Sequence, residues 1–329
     1  MPTIGYAASN KQEVRLSVLT EVENRAGITR VTCGRKLPQL SLEWVRCFWR
    51  DVHSPAIARR AGVYDYRHSQ FDPVRSDVFR AVAGVDYHCP PGEQLMWLSD
   101  VRYQDEAALA AFGHSPDGEV KRLLLADIDL IVDRSTTYKS VGQNTRTLLD
   151  STGIATPQGP VKSPSLAVFF RQRSAEPQFR NFLQQLAARW AIAAGVLRVR
   201  LTIFDMPDME AERQAGYPVK THPLEQQYQA WIDRVVSDAA MARDLLGGAE
   251  RAQESQHLTA VHAYPVRVVY TSVYAGHPTI VGLRGYAAYE AITALAAANH
   301  LQAPLLEWMY GRPAQNSPAQ GGPVPEPHS

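Results

Sequence analysis

The sequence predicts an α+β protein made of two consecutive β-α-β-β-α-β units. Three observations predict it: short runs of alternating apolar residues, amphipathic helical stretches between them, and an order that restarts after a Gly/Pro/Ser/Thr-rich middle. In such a split βαβ, or ferredoxin-like, unit the helices cover one face of a four-stranded antiparallel sheet. The other face, if apolar, needs a partner; two units in one chain can supply it to each other, or each can pair with another chain.

Residues 1–26 are polar and mixed and read as a ragged lead-in; the first unit spans 27–138. "GITRVTCGRKL" (27–37) alternates as a strand. "SLEWVRCFWRDVHSPAIARR" (41–60) has Ser41 as N-cap, Glu43 in the first turn, and Leu42, Val45, Phe48 (or Trp49) and Val52 on one helical face. Pro55 should break or bend this helix near His53. Residues 61–71 form a strand with Tyr64, Tyr66 and His68 in alternation, 72–92 a long loop and 94–103 a strand. Two helical pieces around a Ser-Pro-Asp-Gly turn (105–132) lead to a strand near 128–138.

Residues 139–164 read as a linker between domains, and 165–311 as the second unit. There the pattern predicts strand 165–173, helix 177–195, strand 196–205, an extra helix 224–248, strand 263–276, helix 283–300 and a final strand 304–311. The tail 312–329 is Pro/Gly-rich and expected to be disordered.

Composition narrows the function classes. The chain has 329 residues, 45% hydrophobic and 20% charged, as expected of a soluble globular protein. Its 34 basic residues balance 33 acidic ones, so no global field attracts nucleic acid or an anionic membrane. Cys33, Cys47 and Cys89 show neither CxxC nor Cys/His spacing, which argues for a reducing compartment and against structural zinc. With no signal peptide or membrane span visible, a cytoplasmic location is expected. Dinucleotide, P-loop and nucleophile-elbow motifs are absent.

"FWRDVHSP", with Phe48, Trp49, His53 and Pro55, is followed by "AGVYDYRHSQ" with Gly62 and Tyr66. An aromatic-rich helix, a tryptophan four residues before His-x-Pro, then a glycine and a tyrosine-bearing strand resembles the EthD-like branch of the dimeric α+β barrel superfamily. The resemblance implies that the two halves form a dimeric α+β barrel-type architecture with a cavity. It does not imply one reaction: relatives include cyclases, decarboxylases, small monooxygenases, dehydratases and haem-handling enzymes. The second half lacks the motif, since Trp190 is followed by Ala194 where a histidine would stand, and is expected to keep the fold without the site.

Trp49 and His53, four apart, share a helical face. His53 is the candidate general acid/base and Trp49 an apolar wall; the simpler reading is a histidine favoured by a helix C-terminus. Tyr66 and His68 would orient a substrate oxygen, with Tyr64, Trp97 and His88 as further binding candidates. Against this stands a half-exposed strand, with Asp65 and Arg67 facing solvent or a helix. Arg102, Tyr103 and Tyr87 are weaker candidates, Arg50 and Asp51 read as solvated charges, and Tyr264, Tyr270 and Tyr274 share parity and could line a cavity. His257, His262 and His277 form no metal-binding pattern, and no metal is expected. His53 could ligate haem, but nothing else supports haem, and no cofactor is expected. The expected function is cofactor-independent acid–base catalysis (dehydration, cyclisation or decarboxylation) on a hydrophobic aromatic or polyketide-like molecule. The alternatives are a non-catalytic small-molecule-binding accessory protein or a related monooxygenase. Self-association as a homodimer or higher oligomer is expected.

Overall fold

A computed structural model describes residues 19–116, 118–214, 216–238 and 251–311. The chain folds as a mixed α/β protein in which every strand ladder is antiparallel. In chain order the strands are β1 (Ile28–Lys36), β2 (Asp65–Phe71), β3 (Trp97–Tyr103), β4 (Val132–Val141), β5 (Thr145–Asp150), β6 (Gln158–Pro160), β7 (Ser165–Gln172), β8 (Val196–Ile203), β9 (Ala230–Val236), β10 (Leu258–Tyr274) and β11 (His277–Pro278). Hydrogen-bonded neighbours run β4-β1-β3-β2-β10-β7-β9-β8-β5, with β6 and β11 on β10. The two ends of this path, β4 and β5, are separated only by the 3-10 turn Gly142–Asn144, so the order returns to where it began. β10 joins the two parts: Leu258–Pro265 pair with β7, and Val266–Val273 pair with β2.

One face of β7–β10 is covered by the helix Glu176–Ile192. Phe179, Leu183, Leu186 and Trp190 pack there on Val168, Phe170, Leu201 and Ile232 in a solid apolar core. The corresponding face of β1–β4 lies under the helical segment 42–57 and the helices Glu106–His114 and Gly118–Ile131.

Several sequence expectations change. Residues 139–164, read as a linker, contain the end of β4 and all of β5 and β6. Residues 230–236, read as helix, are β9: "AWIDRVV" has apolar residues at spacings that suit both periods, and pairing to β7 and β8 decides for the strand. Of residues 304–311, read as strand, 304–310 belong to the helix Ala303–Tyr310, with Pro304 in its first turn and Gly311 as its C-cap; the fourth strand of the second part is β10. Within the lead-in, residues 19–24 are helical and Glu23 is 2% exposed; residues 1–18 lie outside the described residues. The tail and residues 239–248 of the extra helix lie outside the described residues.

Candidate functional site

The helical segment above β1–β4 does not break at Pro55. It widens instead: Trp49–His53 form a π-helical turn, closed by the Ser54 amide donating to the Trp49 carbonyl, before Ser54–Ile57 continue as α-helix. The wider turn absorbs the donor that Pro55 lacks. It also changes which side chains face inward. Val45, Trp49, His53 and Ile57, spaced by four, are all buried, whereas Val52, expected on the apolar face, is 52% exposed.

His53 thereby reaches the helix Gly118–Ile131, where its Nδ1 lies 3.0 Å from Asp127 Oδ2. A carboxylate only accepts, so Nδ1 carries the proton and donates it to Asp127, leaving Nε2 as the basic nitrogen. The Trp49 ring lies 4.5 Å from the His53 ring, 5.1 Å from Trp97 and 5.8 Å from His68, centroid to centroid. Trp49 Nε1 donates to Ser99 Oγ at 3.3 Å, and His68 Nδ1 lies 3.3 Å from the same oxygen. The Tyr66 hydroxyl is 2.9 Å from Ser54 Oγ. Burial raises the Tyr66 phenol above its ordinary range, so it stays a neutral donor. Burial, then the neighbouring His53, pushes His68 down to about 3.

Trp49, His53 and Tyr66 line one cavity of about 110 Å³ between sheet and helices. Ser99, Tyr103 and Thr137 also line it, as do Met209, Glu212 and residues 217–221 from the connection between β8 and β9. There Glu212 pairs with Arg30, and Tyr217 accepts a hydrogen bond from Arg60 Nη1 at 3.0 Å. Burial alone would lower the Arg30 pKa, but Glu212, Tyr103 and Tyr217 more than offset it and hold it raised. The cavity thus combines aromatic walls, one imidazole, neutral hydroxyls and the Arg30–Glu212 ion pair, with Arg60 and Lys220 also in its lining.

The other expected site residues fall outside it. His68 and Trp97 are buried behind Trp49 and do not line the cavity. Tyr64 turns its hydroxyl to the Val22 carbonyl at 2.9 Å, and His88 is exposed on a loop. Tyr264, Tyr270 and Tyr274 line no common cavity, because the register of β10 shifts between Val266 and Val268; Tyr264 joins the interior core and Tyr270 packs on Tyr286. Asp51 is no free surface charge: it accepts from the Tyr286 amide at 2.8 Å and pairs with Arg50. Asp65 and Arg67 do not face solvent; they are 1% and 7% exposed and join a buried ion network.

Sequence reading missed Asp127, Arg30 and the 209–221 segment. Asp127 carried a weak signal, being one of three acids on the helix Gly118–Ile131 with Glu119 and Asp129, but nothing local showed which of them turns inward. Among the described residues no group of three His, Cys, Asp or Glu could hold a metal ion, and no helix is long and apolar enough to cross a membrane.

No protein-family model matches the chain, and no curated protein matches it. Among solved structures it is similar to a proposed monooxygenase of Fusobacterium nucleatum subsp. nucleatum, at 8% identity over 76% of this chain and 96% of that one, TM-score 0.42. A proposed monooxygenase of Lactobacillus acidophilus matches at 6% identity over 75% and 97%, TM-score 0.39. An anthrone oxidase-like protein matches at 11% over 76% and 94%, TM-score 0.46. At these identities and scores the likeness assigns neither activity nor ligand.

Proposed function

We propose that this chain is an acid–base enzyme whose active site is the cavity under the 42–57 helical segment. The supporting observation is the His53–Asp127 pair at 3.0 Å on a ring that lines the cavity. Asp127 fixes the tautomer and would stabilise the imidazolium formed when Nε2 takes a proton, the role a buried carboxylate plays beside a histidine base. Tyr66 offers a neutral hydroxyl, and Arg30 a cation toward which an oxyanion could develop. Trp49 supplies a flat apolar wall. A volume near 110 Å³ suits a single ring, smaller than the polyketide-like substrate expected from resemblance. Proton abstraction from a phenol or an enolisable ketone is the step this geometry supports; elimination or decarboxylation could follow it, and so could reaction of the carbanion with oxygen.

The element order and pairing fit two ferredoxin-like halves that exchange strands: β10 runs on from β7 to pair with β2, and β5, which follows β4, pairs with β8. On this reading the barrel forms within one chain, and the second half contributes the 209–221 segment to the first half's site.

Turnover of a panel of phenols and cyclic ketones, followed by product analysis and oxygen consumption, tests the proposal. His53→Asn is expected to lose on the order of 10²–10⁴-fold in kcat. Asp127→Asn should lose part of that while leaving binding nearly intact. Equal kcat in wild type and His53→Asn would sink the assignment.

A further inference from the structure

A second cavity, of about 380 Å³, is more than three times the size of the His53 cavity and lies on the opposite face of β2 and β3. Side chains alternate across a strand. Tyr66, Ser99 and Val101 line the His53 cavity, and the residues between and beside them, Arg67, Ser69, Leu98 and Asp100, line the second. Ile154 and Lys162, exposed on the 151–163 stretch, stand at its opening. This Gly/Pro-rich stretch, expected to be a linker, has no part in the proposed acid–base site.

Polarity falls along both strands on this face. β3 presents Arg102, Asp100 and then Leu98; β2 presents Arg67, Ser69 and then Phe71. The charged end is closed on itself. Arg67 is held by Glu23 and Asp65, Arg102 by Asp100, and Arg198 by Glu23, Asp150 and Asp233. Carboxylates already outnumber guanidinium groups there, so an anionic ligand finds no counter-ion. Lys162 at the opening opposes the entry of a cation. The rest of the wall is apolar, with Ala167, Trp231, Val266 and Val269 continuing the surface begun by Phe71 and Leu98. A ligand covering it gains in proportion to the apolar area removed from water. Ser69 lies at the border between the two regions, and its hydroxyl can donate or accept one hydrogen bond to an uncharged group.

We propose that this cavity is a second binding site, independent of the His53 cavity, for an uncharged and largely apolar molecule carrying a neutral oxygen. The apolar body lies on Phe71, Leu98, Trp231 and Val266. The oxygen, a carbonyl or hydroxyl, points to Ser69, and the closed ion network beyond it sets the polar limit of the site. Selection against charge follows from the same network, because a buried charge without a partner is costly.

Benzophenone, which is neutral, apolar and bears one carbonyl, provides the test on the full chain. Its charged counterparts are 4-benzoylbenzoate and 4-(aminomethyl)benzophenone. By calorimetry benzophenone should bind saturably in the micromolar range, and both charged analogues about tenfold or more weakly. Ser69→Ala should weaken benzophenone about three- to tenfold. Val269→Trp, which fills the cavity from its half-buried edge, and Ile154→Trp, which fills it from the opening, should each abolish binding; His53→Asn should bind like wild type. Near-ultraviolet irradiation inserts the bound ketone into a neighbouring C–H bond, and peptide mass spectrometry should find the label within 151–163 or 266–269. Absence of saturable binding up to the solubility limit would mean that water alone fills the cavity and would overturn the proposal. So would a charged analogue binding as well as benzophenone, full affinity in both filling variants, or a label confined to residues around His53.

Discussion

Replacing Arg198 with methionine tests the buried ion network. Arg198 is 5% exposed and holds three carboxylates: Glu23 at 2.8 and 2.9 Å, Asp233 at 2.7 Å, and Asp150 in a close contact. Methionine is of similar length but removes every one of these partners. Glu23 keeps Arg67 at 2.7 Å, and Asp150 still accepts from Thr152, so the charges are not wholly abandoned. Breaking a buried pair from one side costs about 3–5 kcal/mol, and the surviving partners place the expected loss near 3 kcal/mol. Against a total of about 5–15 kcal/mol, the urea midpoint should fall by roughly 1 M. The double variant Glu23→Gln, Arg198→Met should recover part of that loss, because it removes one of the carboxylates left in excess of the remaining guanidinium groups. An Arg198→Met midpoint indistinguishable from wild type would refute the reasoning. Acid should mimic the variant. Burial alone would raise the Glu23 carboxyl, but Arg198, Arg67, Arg102 and Arg200 hold it well below the usual range. Its contribution is therefore present above the unfolded carboxylate pKa of about 4.3 and is lost as pH falls through its lower folded value.

Burial pushes His68 down to about 3 and His222 and His262 to about 4, so the unfolded chain binds these protons first. Stability should decline as pH falls from about 6.5 towards 4, by up to ~1.4 kcal/mol per pH unit for each histidine; His68→Gln should flatten that slope in pH-dependent urea melts, and an unchanged slope would count against it. Trp49→Ala should cost about 3–5 kcal/mol in the same melts, because Trp49 is 5% exposed and packs on Trp97, His53 and His68. Gly62→Ala should cost more than about 1 kcal/mol by thermal denaturation: φ is +79° and an added Cβ would sit 2.0 Å from the Ala108 carbonyl oxygen.

How far the sequence could be read follows from which forces act locally. Strands β1, β2 and β3 and the helix Glu176–Ile192 were legible because one face meets helices or sheet along their whole length, so periodicity reports burial directly. The 42–57 helix was legible as a helix, but its inward residues were misassigned by one position. A π turn is a response to Pro55 and to packing above Trp97, not a sequence period. Asp65 and Arg67 were misread because their burial depends on Glu23 and Arg198, 42 and 131 residues away from the nearer of them, and no local pattern announces partners at that distance. The Trp49–His53 pairing was legible; Asp127 was not, since its role exists only after two helices meet over β1–β4.

The path of β10 bears on how the chain is made. When residues 1–141 have emerged, β1–β4 can pair, but the free edge of β2 has no partner until Val266–Val273 follow more than 120 residues later. β5 likewise waits for β8. An open strand edge is a template for pairing with other chains, and synthesis proceeds at only ~5–20 residues per second. The nascent first part therefore spends on the order of ten seconds with its hydrogen-bonding edge uncovered. Substitutions that slow completion of β10 should show their effect in soluble yield before they show it in the stability of the finished protein.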